Sequence, residues 1–237
     1  MNLKNAYMKK SLTSALAFFL AFSAAAQLRV SVLGDSYSTF EGFIPEGNEV
    51  WYSANTNGND VNSPEQTWWS IMADRNGLII DRNESYSGAT VCFTGYRGED
   101  YRDRSFNTRA DRLGNPEVIF VFGGTNDDWA KSPLGDYKYG DWTDKDMYSY
   151  RPAFAALLSR LKNLYPDALV VNICNSDLRK DITESMDEIC RHYDVPNIRL
   201  KLIDKQRNHP SKSGMLQIAD QVWRQSAPLI YTHLKKK

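Results

Sequence analysis

A chain of 237 residues, 42% hydrophobic and 24% charged, can bury one sizeable core without disulfide or metal staples. Its 29 basic and 29 acidic side chains balance to a formal charge of +0, which leaves no electrostatic footprint for nucleic acid. Cys92, Cys174 and Cys190 allow at most one intrachain disulfide, show no CxxC or Cys/His pattern at zinc spacing, and are expected as buried free thiols.

The first segment reads differently from the rest. Lys4, Lys9 and Lys10 precede a mainly apolar run from Leu12 to Phe22, and Ser23-Ala24-Ala25-Ala26 follows. A basic stretch, a short apolar core and small residues at a cleavage point predict a secretory signal peptide over 1–26. The run is too short for a comfortable membrane span, although a retained N-terminal anchor helix is the alternative. Cleavage removes three lysines and no acid, and no Cys stands just after it to carry a lipid. An exported protein, periplasmic or extracellular, is therefore expected, with residues 27–237 forming one domain.

From Gln27 onward, strand and helix patterns alternate, which predicts an α/β fold with a parallel sheet covered by helices on both faces. Leu28–Gly34 is apolar and rich in β-branched residues and runs into Gly34-Asp35-Ser36. Such a strand places Ser36 at its C-terminal end, where open α/β sheets bind ligands. A polar loop over 37–62 carries Trp51 and Tyr52. Ser63-Pro64-Glu65-Gln66 supplies an N-cap, a proline at the first helical position and Gln at the third, so a helix should run to Asn76 and stop at Gly77. Trp68 and Trp69 are neighbours on that helix and cannot share a face; one of them is expected in the core.

Leu78-Ile79-Ile80 opens a second strand that leads into Ser85-Tyr86-Ser87-Gly88. Residues 92–112 are dense in Arg and Asp and read as loop plus a short helix. Glu117–Phe122 is the clearest buried strand, closed by Gly123-Gly124-Thr125-Asn126-Asp127, and an aromatic loop with Trp129, Tyr137, Tyr139 and Trp142 follows. A helix over 153–165, a strand over 168–174, a helix over 181–193, a strand over 198–203 and a helix from Ser211 complete the pattern.

A serine is a poor nucleophile alone and needs a base and donors for an oxyanion. Of the three histidines, His192 ends a predicted helix and His233 lies in the C-terminal tail. His209 falls between the last strand and the last helix, in a loop that opens on the same sheet edge as Ser36. Taken alone, a loop His before Pro is an ordinary helix-start residue. Gly88, whose N–H a ligand can approach closely, and Asn126, whose amide can donate, stand at two further strand ends, although each singly is ordinary turn chemistry.

Gly34-Asp35-Ser36, Gly88, Gly124-Thr125-Asn126-Asp127 and His209-Pro210, in this order at successive strand ends, resemble the blocks of the SGNH/GDSL hydrolase superfamily of esterases and lipases. The resemblance spans the chain from the first strand to the last helix. It implies a three-layer α/β/α flavodoxin-like fold with a mainly parallel five-stranded sheet, ester hydrolysis through an acyl-enzyme, and no metal or other cofactor. Carried over residue by residue, Ser36 is the nucleophile and lends its N–H to the oxyanion hole, Gly88 N–H and the Asn126 amide complete that hole, and His209 is the base. One block departs from the family pattern: an Asp usually stands three residues before the His, and here that position is Gln206. Asp204 is expected as the third catalytic residue if the loop bulges; otherwise Gln206 or a backbone carbonyl orients the ring and the pair acts as a dyad. Asp35 is expected to fix its turn and Asp127 to hold the third loop.

The aromatic and polar loops at the expected active edge suit sugar rings better than a long acyl chain. They point to a carbohydrate acetylesterase, with Trp129 and Tyr37 touching substrate, unless these aromatics pack their own loops. A phospholipid or other lipid esterase of the same family and a non-catalytic glycan-binding module on this fold are the alternatives. A nucleotide site is excluded because no Gly-rich phosphate loop follows the first strand.

Overall fold

A computed structural model of the protein describes residues 27–56 and 58–236, so the predicted signal peptide lies outside the described residues. Five strands, β1 (Arg29–Gly34), β2 (Ile79–Ser85), β3 (Val118–Phe122), β4 (Leu169–Cys174) and β5 (Asn197–Arg199), form one sheet in the order β2-β1-β3-β4-β5. Every neighbouring pair is parallel. The chain leaves β1 toward one edge to make β2 and then crosses to β1's other side to make β3. That reversal opens a crevice at the C-terminal ends of β1 and β3, the place where such sheets take ligands.

The helices α1 (Trp68–Asn76), α2 (Phe106–Arg109), α3 (Thr125–Ala130), α4 (Tyr150–Leu164), α5 (Lys180–His192) and α6 (Lys212–Leu234) connect and flank the strands. The period-two alternation of a strand divides the core in two. Leu33, Ile119, Val121 and Val170 face Phe106, Phe154, Leu157, Ile182 and Met186 on the α2, α4 and α5 side. Val32, Val118, Phe120, Phe122 and Val171 face Trp68, Met72, Ile218 and Val222 on the α1 and α6 side. Each such buried side chain contributes roughly 1.5–3 kcal/mol of burial free energy. The result is the expected three-layer α/β/α architecture.

Local departures from the sequence expectation have local causes. The capping box of Ser63 and Gln66 forms, but Pro64–Gln66 is a 3-10 turn, and extended Thr67 (φ −76°, ψ 149°) separates it from α1. Both Trp68 and Trp69 are buried, because the chain after β1 folds over the flank of α1. Their indole N–H groups both donate to Ser38, to Oγ at 3.1 Å and to the carbonyl at 2.9 Å. Asn126 lies in the first turn of a helix rather than in a loop, with Gly124 at φ +88° making the bend before it. β5 ends at Arg199, and beyond it exposed Leu202 adopts φ +53°, which strand pairing does not accommodate. All three cysteines are free and buried. Among the described residues, no helix is long and apolar enough to cross a membrane.

Candidate active site

At the end of β1 the backbone passes so close to its neighbours that a Cβ on Gly34 would lie 2.5 Å from Ser85 Oγ and 2.7 Å from Ser38 Cβ. Only glycine lets the strand turn here. Asp35 caps the 3-10 turn Ser36–Ser38 by accepting the Tyr37 N–H at 3.0 Å, as its expected turn role requires. Burial pushes the Asp35 carboxyl up to about 7, against the pull of that N–H. Ser36 is held at the strand end and its hydroxyl lies 3.0 Å from His209 Nε2.

His209 arrives from the far end of the chain on a small antiparallel hairpin, β6 (Lys205–Gln206) and β7 (His209–Pro210). Arg207 and Asn208 form its two-residue turn with φ +51° and +64°, the left-handed pair that a tight hairpin demands. This turn aims the Arg207 carbonyl at His209 Nδ1, 3.0 Å away. A carbonyl can only accept, so Nδ1 of the neutral ring carries the hydrogen and Nε2 presents its lone pair to the Ser36 hydroxyl. Burial lowers the His209 pKa to about 4, with the Arg207 carbonyl opposing and the charge of Lys205 adding. The imidazole is therefore neutral at pH 7 and able to take the serine proton.

The expected Asp204 partnership does not form. Its carboxylate accepts from Ser211 Oγ, and its carbonyl accepts the Ser211 N–H at 3.1 Å. Ser211 in turn N-caps α6, accepting Gly214 N–H at 3.1 Å. Asp204 is thus committed to the start of α6, while Gln206 Oε1 accepts the Asp60 N–H at 2.8 Å. Of the three groups weighed for the place behind His209, the backbone carbonyl occupies it.

α3 organises the loop after β2. Gly88 adopts φ +80°. Asn126 Nδ2 donates to the Ala89 carbonyl at 3.0 Å, which leaves its second hydrogen free of that bond, and Oδ1 accepts from Tyr96 OH at 2.7 Å. The Asp127 carboxylate accepts Val91 N–H at 2.8 Å and Cys92 N–H at 3.1 Å, so it ties the second loop to the third rather than holding the third alone. Burial pushes Asp127 up to about 6 against those two donors.

A family model described as GDSL-like Lipase/Acylhydrolase matches residues 28–226. This chain belongs to that family. A crystal structure from Bacteroides uniformis assigned as a GDSL-like lipase is 53% identical over 86% of this chain and 98% of its own, with a TM-score of 0.84. One from Bacteroides ovatus, assigned likewise, is 47% identical over 86% of this chain and 99% of its own, also at 0.84. A family two carbohydrate esterase from Clostridium thermocellum in complex with cellohexaose shares the fold at 14% identity, over 86% of this chain and 64% of its own, with a TM-score of 0.60. No curated protein matches the sequence.

Three features of this GDSL-like hydrolase escaped the sequence reading or correct it. Tyr37, expected at the substrate, is fully buried, and its hydroxyl donates to the Asn208 carbonyl at 2.7 Å, so it braces the His209 turn instead. Tyr96, which orients Asn126, lies in a polar loop with no periodicity to mark it. Arg109 is fully buried beneath the site, donating to the carbonyls of Glu84, of Gly34 at 3.2 Å and of Arg104 at 2.8 Å. Trp129 remains accessible, 37% exposed, with its ring 5.9 Å from that of His209. Tyr139 stacks on His192 at 3.8 Å and Tyr137 lies under Arg151 at 4.4 Å, so these two anchor their loop to α5 and α4. Among the described residues no cluster of three or more His, Cys, Asp or Glu could hold a metal ion.

Proposed function

We propose that this GDSL-family protein is an exported serine esterase that removes short acyl groups, acetyl first among them, from carbohydrate. The observation that carries the reading is the Ser36 Oγ to His209 Nε2 contact at 3.0 Å, with the ring held in the tautomer that accepts a proton. Ser36 Oγ attacks the ester carbonyl as His209 takes its proton. The negative oxygen forms toward the N–H groups of Ser36 and Gly88 and the spare Asn126 amide hydrogen. His209 then protonates the leaving alcohol, and water, activated by the same nitrogen, releases the acid.

The surroundings favour a sugar ester. Trp129 stands exposed beside His209, Lys205 and Asp177 pair at 2.5 Å nearby, and neither feature supplies an aliphatic channel. A cavity of about 780 Å³ lined by Phe93, Arg102, Trp142 and Met147 includes neither Ser36 nor His209, so it is not the acyl site. The signal-like composition of residues 1–26 supports export to where glycans are met.

Acetate release from acetylated xylan, pectin and sialoglycans, set beside fatty-acid release from phospholipid, tests the substrate. Ser36→Ala should abolish the activity with the fold intact. Fatty-acid release alone would move the assignment to a lipid esterase, and failure of Ser36 to react with an organophosphonate would make the protein a binding module.

A further inference from the structure

The imidazole of His209 lies flat against the indole of Trp51, with ring centroids 3.6 Å apart and planes 10° from parallel. Tyr37, Tyr52 and Trp129 meet the same imidazole only at tilts of 58°, 79° and 71°, at 5.3, 6.3 and 5.9 Å. Among these four rings, only Trp51 lies face to face with the imidazole.

Backbone contacts hold Trp51 to the nucleophile's own turn. Its N–H donates to Thr39 Oγ1 at 3.0 Å, and Thr39 Oγ1 donates to the Ser36 carbonyl at 3.1 Å. The indole N–H, by contrast, is buried and has no partner among the described residues. Burying an unpaired N–H costs free energy, so no hydrogen bond of the indole accounts for where the ring sits. Its contact through the π face does.

That contact falls where the site needs help. When His209 accepts the serine proton, the ring becomes an imidazolium with no carboxylate behind it, because Asp204 is engaged by Ser211. The Arg207 carbonyl offers a dipole rather than a full charge, and Lys205 disfavours a positive ring. An indole face carries negative quadrupole density, and a cation stacked on it is stabilised, the more so when desolvated.

We propose that Trp51 is the positioning residue of His209, fixing the plane of the imidazole and stabilising the imidazolium through its π face in place of the absent carboxylate. This rests on the serine-esterase reading above. It adds that the stabilisation exists only when the ring is charged, so it belongs to the transition state and acts on kcat more than on KM.

Site-specific replacement of Trp51 in the full chain by mono-, di- and trifluorotryptophan tests it, with p-nitrophenyl acetate as substrate. Each fluorine weakens the quadrupole while nearly preserving shape, so a packing role would not respond. Stepwise loss of kcat, about tenfold across the series, is expected with KM little changed. Trp51→Phe should lie between the wild type and Trp51→Leu. A flat kcat across the series, with turnover still dependent on Ser36, overturns the role of Trp51 alone. Absence of Ser36-dependent turnover in the unaltered chain overturns this proposal together with the reading it rests on.

Discussion

The Arg207 carbonyl stands 3.0 Å from Nδ1 of His209, on the side of the imidazole away from Ser36, while the carboxylate five residues before His209 turns to Ser211. The site is built as a serine–histidine pair steadied by main chain. Main chain is a weaker electrostatic partner than a carboxylate, but a fixed one: Arg207 and Asn208 are both held at positive φ, and Asn59 Nδ2 clamps the hairpin through the carbonyls of Gln206 at 3.2 Å and Pro210 at 3.1 Å.

Asp204→Asn separates this arrangement from a triad. The change should lower kcat/KM on a short aryl ester by less than about tenfold, whereas His209→Ala should lose several orders of magnitude with the base itself. The cost of Asp204→Asn should fall on stability instead, about 1 kcal/mol, because the Ser211 cap of α6 loses its charged partner. Urea denaturation beside steady-state kinetics measures both; a thousandfold kinetic loss with unchanged stability would place Asp204 in the catalytic relay after all.

The turn gives a second test. Arg207 pays a conformational strain that glycine would not, and the group that faces His209 is its carbonyl, not its side chain. Arg207→Gly should therefore leave kcat within about threefold of the wild type, in keeping with the low cost of glycine at positive φ. A large loss would mean that the guanidinium itself takes part.

The pH dependence follows from the burial of His209. The base works only when neutral, and its pKa is lowered to about 4, so kcat/KM should hold as pH falls through 6 and drop with a midpoint near 4. Stability shares the sign on this group: the unfolded imidazole binds a proton near 6.5 and the folded one near 4, so its contribution is lost as pH falls between those values. Asp127 and Asp35, raised to about 6 and about 7, titrate above it. A rate profile over pH 3.5 to 8 decides among them, and an acid limb at 6 or 7 would assign control to those carboxylates rather than to His209.

Much of this was legible in the chain itself, and the exceptions share a cause. Val118–Phe122 announced itself by an unbroken apolar run, and Ser36 at the end of β1 and His209 in the loop before α6, which the structure brings within 3.0 Å, by their places in the alternating pattern. What escaped were groups whose identity carries no signature. A backbone carbonyl behind His209 is among the sequence expectations, but any residue could supply it, so nothing marks Arg207. Asp204 looked available because sequence does not show that Ser211 claims it. Tyr96 and Arg109 sit in a loop over 92–112 without periodicity, so nothing separated them from the solvated arginines and tyrosines beside them. Tyr37 differs from its expected place because a residue next to a nucleophile can point into the core as readily as toward substrate.

Tyr96 offers a test of the oxyanion side. Its hydroxyl donates to Asn126 Oδ1 at 2.7 Å, which fixes the amide with its nitrogen toward Ala89 and the site. Without that donor only the Ala89 carbonyl is left to hold this orientation against the flipped amide. Tyr96→Phe should therefore lower kcat by about tenfold, less than the loss of the donor itself, with KM little altered. Asn126→Ala should lose at least as much, and the double variant should lose no more than Asn126→Ala alone. Additive losses would show that Tyr96 acts on substrate directly and not through the amide.

Arg109 carries the last expectation, and it concerns the frame beneath the site. A fully buried guanidinium is costly to desolvate, and burial lowers its pKa to about 10, yet it stays charged at neutral pH. It is retained by a geometry only a fork of donors can meet: three N–H groups reach carbonyls at the end of β1, near the end of β2 and at Arg104. Arg109→Met should remove these charge-assisted bonds and leave the Glu84 and Arg104 carbonyls without this donor, at a cost of about 3 kcal/mol. In a domain of this size that lowers Tm by roughly 6–12 °C. Arg109→Lys should recover little of it, because one ammonium on a flexible stem cannot span three carbonyls. Thermal unfolding of both variants measures this, and a lysine variant as stable as the wild type would show that the buried charge, rather than the fork, is what joins the strand ends under Ser36.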